Sequence, residues 1–153
     1  VTYQYAVSAL IATSWGSADP EGMPPALSEP DPSTHLVLVV DDDPKFAAIA
    51  MRILRRTGHR CVRAESGVEA LRAVREHRPD AIVLDVMIPP PDGLDVCRQL
   101  RSDGWAGGVV MVSARRSPAD RATAVDVGAD AFLDKPFALD DLVSAVDALV
   151  RPA

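Results

Sequence analysis

Cysteine is nearly absent from this chain: only Cys61 and Cys97 occur in 153 residues, in no CxxC pair and with no histidine at ligand spacing. That excludes a disulfide scaffold and a zinc-finger type of site, and leaves two small apolar thiols suited to a reducing cytoplasm. Histidine is scarce too. His35, His59 and His77 stand apart and form no catalytic or metal-binding set. Lysine is scarcer, with Lys45 and Lys135 beside fourteen arginines, so the two lysines draw notice. No apolar run approaches the roughly 20 residues needed to span a bilayer. The net charge of −6 and the lack of any long basic run argue against direct nucleic-acid binding, which needs concentrated Lys and Arg.

The composition that remains, 48% apolar and 25% charged, is enough to bury a core for about one domain. The first 34 residues hold no Lys or Arg, and five of the thirteen prolines lie between Pro20 and Pro32. They have too little to bury, so residues 1–34 are expected to be a Pro-rich disordered leader, with Met23 as an alternative natural start. The apolar piece Ala6 to Ala12 lacks a preceding positive region and does not read as a secretory signal.

From residue 35 the pattern alternates. Leu36-Val-Leu-Val-Val40, Ala81-Ile-Val-Leu84 and Gly108-Val-Val-Met-Val112 are continuous apolar runs, as expected of strands covered on both faces. Weaker strands are expected near Cys61–Ala64 and Ala131–Leu133. Between them lie helical spacings: Phe46 to Leu54 behind Pro44 and closed by Gly58, Val68 to Val74 capped by Ser66, and Leu94 to Leu100. A further helix is opened by Pro118, and Leu139 to Leu149 carries the last. Five βα units predict an α/β fold with one doubly wound parallel sheet and helices on both faces.

Ligands of such sheets bind beyond the carboxyl ends of the strands. The residues found there are Asp41-Asp42-Asp43 after the first strand, Asp85 at the third, Ser113 at the fourth and Asp134-Lys135-Pro136 after the fifth. Clustered carboxylates repel one another, which a hard, oxygen-seeking cation such as Mg²⁺ relieves. A carboxylate beside that cation can act as a nucleophile towards phosphorus, while a hydroxyl and an ammonium neutralise the transferred group. Singly, each residue has a plainer reading. The Asp triplet suits a helix N-terminus, Asp85 a turn, Ser113 a cap and Lys135 a solvated charge. Their coincidence at one sheet edge is what carries the argument.

Taken together, Val39-Val-Asp-Asp-Asp-Pro44, Leu84-Asp-Val-Met-Ile-Pro-Pro-Pro-Asp-Gly93, Val112-Ser-Ala114 and Asp134-Lys-Pro-Phe137 resemble the receiver domain of bacterial two-component response regulators, the CheY-like fold. The resemblance covers residues 35–153 and implies a five-stranded flavodoxin-like sheet of order 2-1-3-4-5 with five helices. It implies that Asp85 accepts a phosphoryl group from a phosphohistidine and that Asp41, Asp42, Asp85 and the Met87 carbonyl hold Mg²⁺. Ser113 and Lys135 would contact the phosphoryl group. Ser113 and Phe132 would form a switch reporting on the surface of the fourth helix, fifth strand and fifth helix.

The implied partners are a sensor histidine kinase or phosphotransfer protein and a downstream protein or output domain, in the cytoplasm, with neither membrane nor nucleic acid. The resemblance also admits a phosphorylation-dependent dimer. No external substrate is implied, only the chain's own phosphorylation and dephosphorylation. Departures from the family pattern are Asp43, an extra acid assigned to the helix N-terminus, Ile88 for a common Met, Phe132 for a frequent Tyr, and the stiff Pro89-Pro90-Pro91.

A haloacid-dehalogenase type of phosphohydrolase is the rival from another class, with Asp41 as nucleophile and Asp43 as acid. It lacks a later acidic pair and a cap insertion, and it leaves Asp85 without a role. A receiver that signals without phosphate is the third reading, and it leaves every chemical position filled for no purpose.

Overall fold

The computed structural model describes residues 34–115 and 117–150; the expected leader lies outside the described residues, Thr34 apart. Five strands, β1 (Leu36–Val40), β2 (Arg60–Ala64), β3 (Ala81–Asp85), β4 (Gly108–Ser113) and β5 (Ala131–Asp134), alternate with five helices. These are α1 (Pro44–Arg56), α2 (Gly67–His77), α3 (Gly93–Ser102), α4 (Pro118–Asp126) and α5 (Leu139–Val150). All pairings are parallel, and the order β2-β1-β3-β4-β5 agrees with the implied topology. The expected strands are all present, most one residue longer than their apolar runs because the ladder continues into the polar edge residues.

The sheet has two apolar faces because successive side chains of a strand point opposite ways. Leu38, Val40, Ile82, Leu84, Val109 and Met111 pack under α2, α3 and α4, whose buried residues include Val74, Cys97 and Ala124. Val37, Val39, Ala81, Val83, Val110 and Val112 pack under α1 and α5 through Leu54, Leu142 and Val146. A strand apolar at every position is therefore one that serves both layers.

Local signals fix the helix ends. The Asp43 side chain accepts from the Lys45 N–H at 3.0 Å, with Pro44 in the first turn where no N–H is needed. Ser66 accepts from the Glu69 N–H while Glu69 reaches back to the Glu65 N–H, two orphan donors satisfied by one exchange. Beyond α1 the chain reverses through Gly58 at φ 96°, a conformation that costs glycine little. Both cysteines are buried, and burial pushes the Cys61 thiol up to about 11, so they behave as the inert apolar groups expected.

Candidate functional site

The acidic residues arrive at one place because β1 and β3 are neighbours that end at the same level. Asp41 directly follows β1, and its N–H extends the ladder by donating to the Ala64 carbonyl at 3.1 Å. It is 1% exposed, and its Oδ1 accepts from the Asp43 N–H at 2.9 Å, which tightens the turn. Asp42 is exposed at the mouth. Asp85 ends β3, is 6% exposed, and its Oδ1 accepts from the Met87 N–H at 2.9 Å. One oxygen from each of Asp41, Asp42 and Asp85 lies within 4.8 Å of the others.

Lys135 enters from β5, where its N–H donates to the Ser113 carbonyl at 2.8 Å. Its ammonium donates to Asp41 Oδ2 at 2.7 Å and to Asp85 Oδ2 at 2.9 Å. Burial pushes the Asp85 carboxyl above its ordinary range, with Lys135 and the Met87 N–H pulling it back and the Asp41 charge adding to the rise. Burial also opposes the ammonium of Lys135, but its two carboxylate partners outweigh that and hold its proton more tightly than usual. Two buried carboxylates share a single ammonium, which leaves surplus negative charge for a cation.

Two aromatic side chains pack beside the pocket, Phe137 from the Asp134-Lys-Pro-Phe137 motif and Phe46 from a position that the sequence marks only as apolar. The Lys135 ammonium lies 3.9 Å from the Phe46 ring centroid, and Phe46 packs edge-on against Phe137 at 5.8 Å. The signal that could have found Phe46 is proximity to a motif, since it lies five residues after Asp41.

The loop behind Asp85 has little freedom. A Cβ on Gly93 would meet the Asp85 carbonyl at 2.2 Å, and one on Gly67 would meet the Pro91 carbonyl at 1.9 Å. Only glycine allows α3 and α2 to close on the Val86–Asp92 segment this tightly. The Gly93 N–H in turn donates to the Val86 carbonyl at 2.9 Å. Met87 stands in this loop with its side chain 53% exposed.

Ser113 ends β4 beside Asp85, fully buried. Its hydroxyl donates to the Arg115 carbonyl at 3.2 Å and accepts from the Arg115 N–H at 3.0 Å, closing a tight turn. Arg115 itself is held by Asp120 at 2.7 Å. Phe132, half-buried on β5, has the Arg121 guanidinium 4.8 Å above its ring, and Arg121 also pairs with Asp134. The structure therefore gathers Asp41, Asp42, Asp85 and Lys135 into one cluster, with Ser113 and Met87 adjacent and Phe132 on the outermost strand. Asp43 stays outside this cluster as the cap of α1, which removes the acid that the dehalogenase reading required.

The model of the response regulator receiver domain family matches residues 37–147. The response regulators MprA of Mycobacterium sp. (strain KMS) and Mycobacterium leprae (strain TN) are each 47% identical over 115 residues, 75% of this chain and 50% of theirs. The chain thus spans about half the length of these curated relatives. Among solved structures, the Francisella response regulator 1452 receiver domain is 32% identical with a TM-score of 0.73, covering 76% of this chain and 97% of that one. The BeF3-activated N-terminal receiver domain of Klebsiella pneumoniae RstA is 25% identical with a TM-score of 0.72, covering 76% and 99%. Fold, pocket and sequence similarity agree: this chain belongs to the receiver domain family of two-component response regulators.

Proposed function

We propose that the domain accepts a phosphoryl group on Asp85 in the presence of Mg²⁺ and alters its outer surface in response. The observation that carries this reading is the lone ammonium of Lys135 set between Asp41 and Asp85, with Asp42 alongside. Three carboxylates beside one ammonium offer a hard, oxygen-only donor set with excess negative charge, which suits Mg²⁺ better than metals that seek thiolate or imidazole. Asp41, Asp42, Asp85 and the Met87 carbonyl would hold it. When bound, it neutralises phosphoryl oxygens and screens the attacking carboxylate from its neighbours.

In the transfer, a carboxylate oxygen of Asp85 forms the new P–O bond while the P–N bond of a phosphohistidine breaks. The imidazole leaves with the electron pair, and nothing is oxidised or reduced. Lys135 keeps its proton and donates to the incoming phosphoryl group as it gives up its bond to Asp85. Ser113 releases the Arg115 turn and donates its hydroxyl to a phosphoryl oxygen. Phe132 then packs inward, free of Arg121, and the surface of α4, β5 and α5 takes its second arrangement. A sensor histidine kinase or phosphotransfer protein is the donor, and a downstream protein or output domain the reader. A phosphorylation-dependent dimer on that surface is one form the reading could take.

The chain acts on no external substrate, and its setting is the cytoplasm. No described helix is long and apolar enough to cross a membrane.

Acetyl phosphate with Mg²⁺ is expected to add one phosphoryl group to the purified chain, read by intact mass, and Asp85→Asn is expected to abolish it. Labelling that survives in this variant would overturn the assignment and point to Asp41. The adduct is also expected to persist. Water must be oriented for attack on the acyl phosphate, and neither Met87 nor Arg115, the latter tied to Asp120, offers a carboxamide or carboxylate to do it. A phosphoryl lifetime as short as that of the fast chemotaxis receivers would contradict this.

A further inference from the structure

During phosphoryl transfer the Lys135 ammonium exchanges its 2.9 Å bond to Asp85 for one to the phosphoryl group. For that interval Asp41, at 2.7 Å, is its remaining carboxylate partner. Lysine carries its charge on a flexible four-carbon stem, and water competes strongly for an ammonium. A further hold that does not depend on Asp85 keeps the charge where the phosphoryl oxygens arrive.

Phe46 is placed to supply it. An ammonium has three donors, and two of those on Lys135 go to Asp41 and Asp85. Among the described residues no oxygen takes the third, while the nitrogen lies over the Phe46 ring, 3.9 Å from its centroid. That is well inside the ~6 Å reach of a cation–π attraction, which strengthens as water is excluded. The Lys135 side chain is 19% exposed. The ring is held in turn. Phe46 is the third residue of α1, so the Asp43 cap and the turn carrying Asp41 and Asp42 also place it. Phe137 braces it edge-on, at an interplanar angle of 84°. An apolar residue here is expected for packing alone, since Phe46 is partly buried against the core under α1 and α5. Leucine or methionine would serve that purpose equally, but neither offers a cation a negative π-face.

We infer that Phe46 is a positioning residue for phosphoryl transfer, its ring face holding the Lys135 ammonium over the pocket while that group passes from Asp85 to the phosphoryl oxygens. In the resting pocket two carboxylates hold the ammonium and the ring adds little. In the transition state one of them is being consumed, so the ring carries a larger share, and an interaction stronger there than in the ground state raises the rate. The inference rests on Asp85 being the phosphoacceptor and gives that reaction a residue outside its charged set.

Fluorination separates this role from packing, because each fluorine drains the ring face of negative charge while the shape changes little. Full chains carrying mono-, di- or trifluorophenylalanine at position 46 alone, folded by circular dichroism, are labelled with acetyl phosphate at saturating Mg²⁺. An Asp85 oxygen bonds to phosphorus as acetate leaves with its electron pair, so the growth of the mass adduct gives the rate. The rate is expected to fall with each fluorine, by about threefold to tenfold over the series. Phe46→Tyr is expected to keep most of the parent rate, and Phe46→Leu to be as slow as the trifluoro chain. A rate indifferent to fluorine content, or a Phe46→Leu chain as fast as the parent, would overturn the proposal. The chain has only two lysines, so the methylene beside the Lys135 ammonium is readily assigned by NMR, with Lys45 as the internal reference. It is expected upfield, shifted by the ring under it, and an unshifted signal in the parent would also overturn the proposal. A parent chain that takes no phosphoryl group sinks the phosphoacceptor reading itself. Normal labelling that ignores fluorine sinks the role of Phe46 alone.

Discussion

Replacing Lys135 with Met is expected to destabilise the metal-free domain by about 3–5 kcal/mol at neutral pH, the range for removing one partner of a buried ion pair. Asp41 and Asp85 are 1% and 6% exposed and share this ammonium, so its loss leaves two buried carboxylates facing each other. Methionine approximates the length and apolar stem of lysine, which keeps the packing on Phe46 and isolates the charge.

The pH dependence has a definite sign. Repulsion raises the folded-state pKa of a carboxyl above its unfolded value, as burial already does for Asp85 with Lys135 in place. A group shifted upward in the fold contributes its stability fully below the unfolded pKa and loses it as pH rises through the folded one. The deficit of the variant is therefore greatest at neutral pH and shrinks in acid, where one carboxyl takes up a proton. Mg²⁺ is expected to return part of the loss, since a ligand bound only by the folded state stabilises it by mass action. Urea denaturation at two pH values, with and without Mg²⁺, measures all three effects. A variant as stable as the parent at neutral pH without metal would show that Lys135 does not neutralise the pair.

Arg101→Ala is expected to cost a similar amount, about 3–5 kcal/mol, at the opposite end of the sheet and for a different reason. Its guanidinium donates to the Gly128 carbonyl at 3.0 and 3.1 Å, the Gly107 carbonyl at 2.7 Å, the Trp105 carbonyl at 3.0 Å and Asp130 at 3.0 Å. It also lies 5.4 Å from the Trp105 ring centroid. One side chain at the end of α3 thus ties the turn before β4 to the turn before β5. Truncation strips partly buried acceptors of their donor, and each group left unpaired costs about 1–3 kcal/mol, partly recovered where water enters. Arg101→Lys is expected to recover little, because an ammonium cannot serve acceptors spread around a planar fork. Trp105, whose Nε1 donates to the Pro79 carbonyl at 3.3 Å, lies beside the lesion and gives a fluorescence signal for its unfolding. A loss below about 1 kcal/mol would mean that solvent replaces the guanidinium freely.

These two residues are not equally legible in the sequence. Lys135 sits in Asp134-Lys-Pro-Phe137 and is one of two lysines, so the amino-acid order alone makes it stand out. Arg101 is one of fourteen arginines, and nothing local separates it from Arg98, which among the described residues pairs with Asp95 three residues away. Its acceptors lie up to 29 residues along the chain, and only the packing of α3 against the ends of β4 and β5 makes them its own.

The same division runs through the whole domain. By itself, the sequence determined the alternation of strands and helices, because burial on both faces demands unbroken apolar strands while half-buried helices demand a three-to-four spacing. It also determined the helix ends at Asp43, Ser66 and Gly58, which depend on neighbours two or three residues away, and it placed the chemistry at the carboxyl edge of the sheet. Tertiary structure decided what depends on distance in space. It put the Lys135 ammonium between two carboxylates that precede it by 94 and 50 residues, and it turned the Ser113 hydroxyl towards Arg115. It set Phe46 beneath the ammonium. Local preferences act through a few bonds and are written in short spacings. Charge neutralisation and close packing act between groups that only the completed fold brings together.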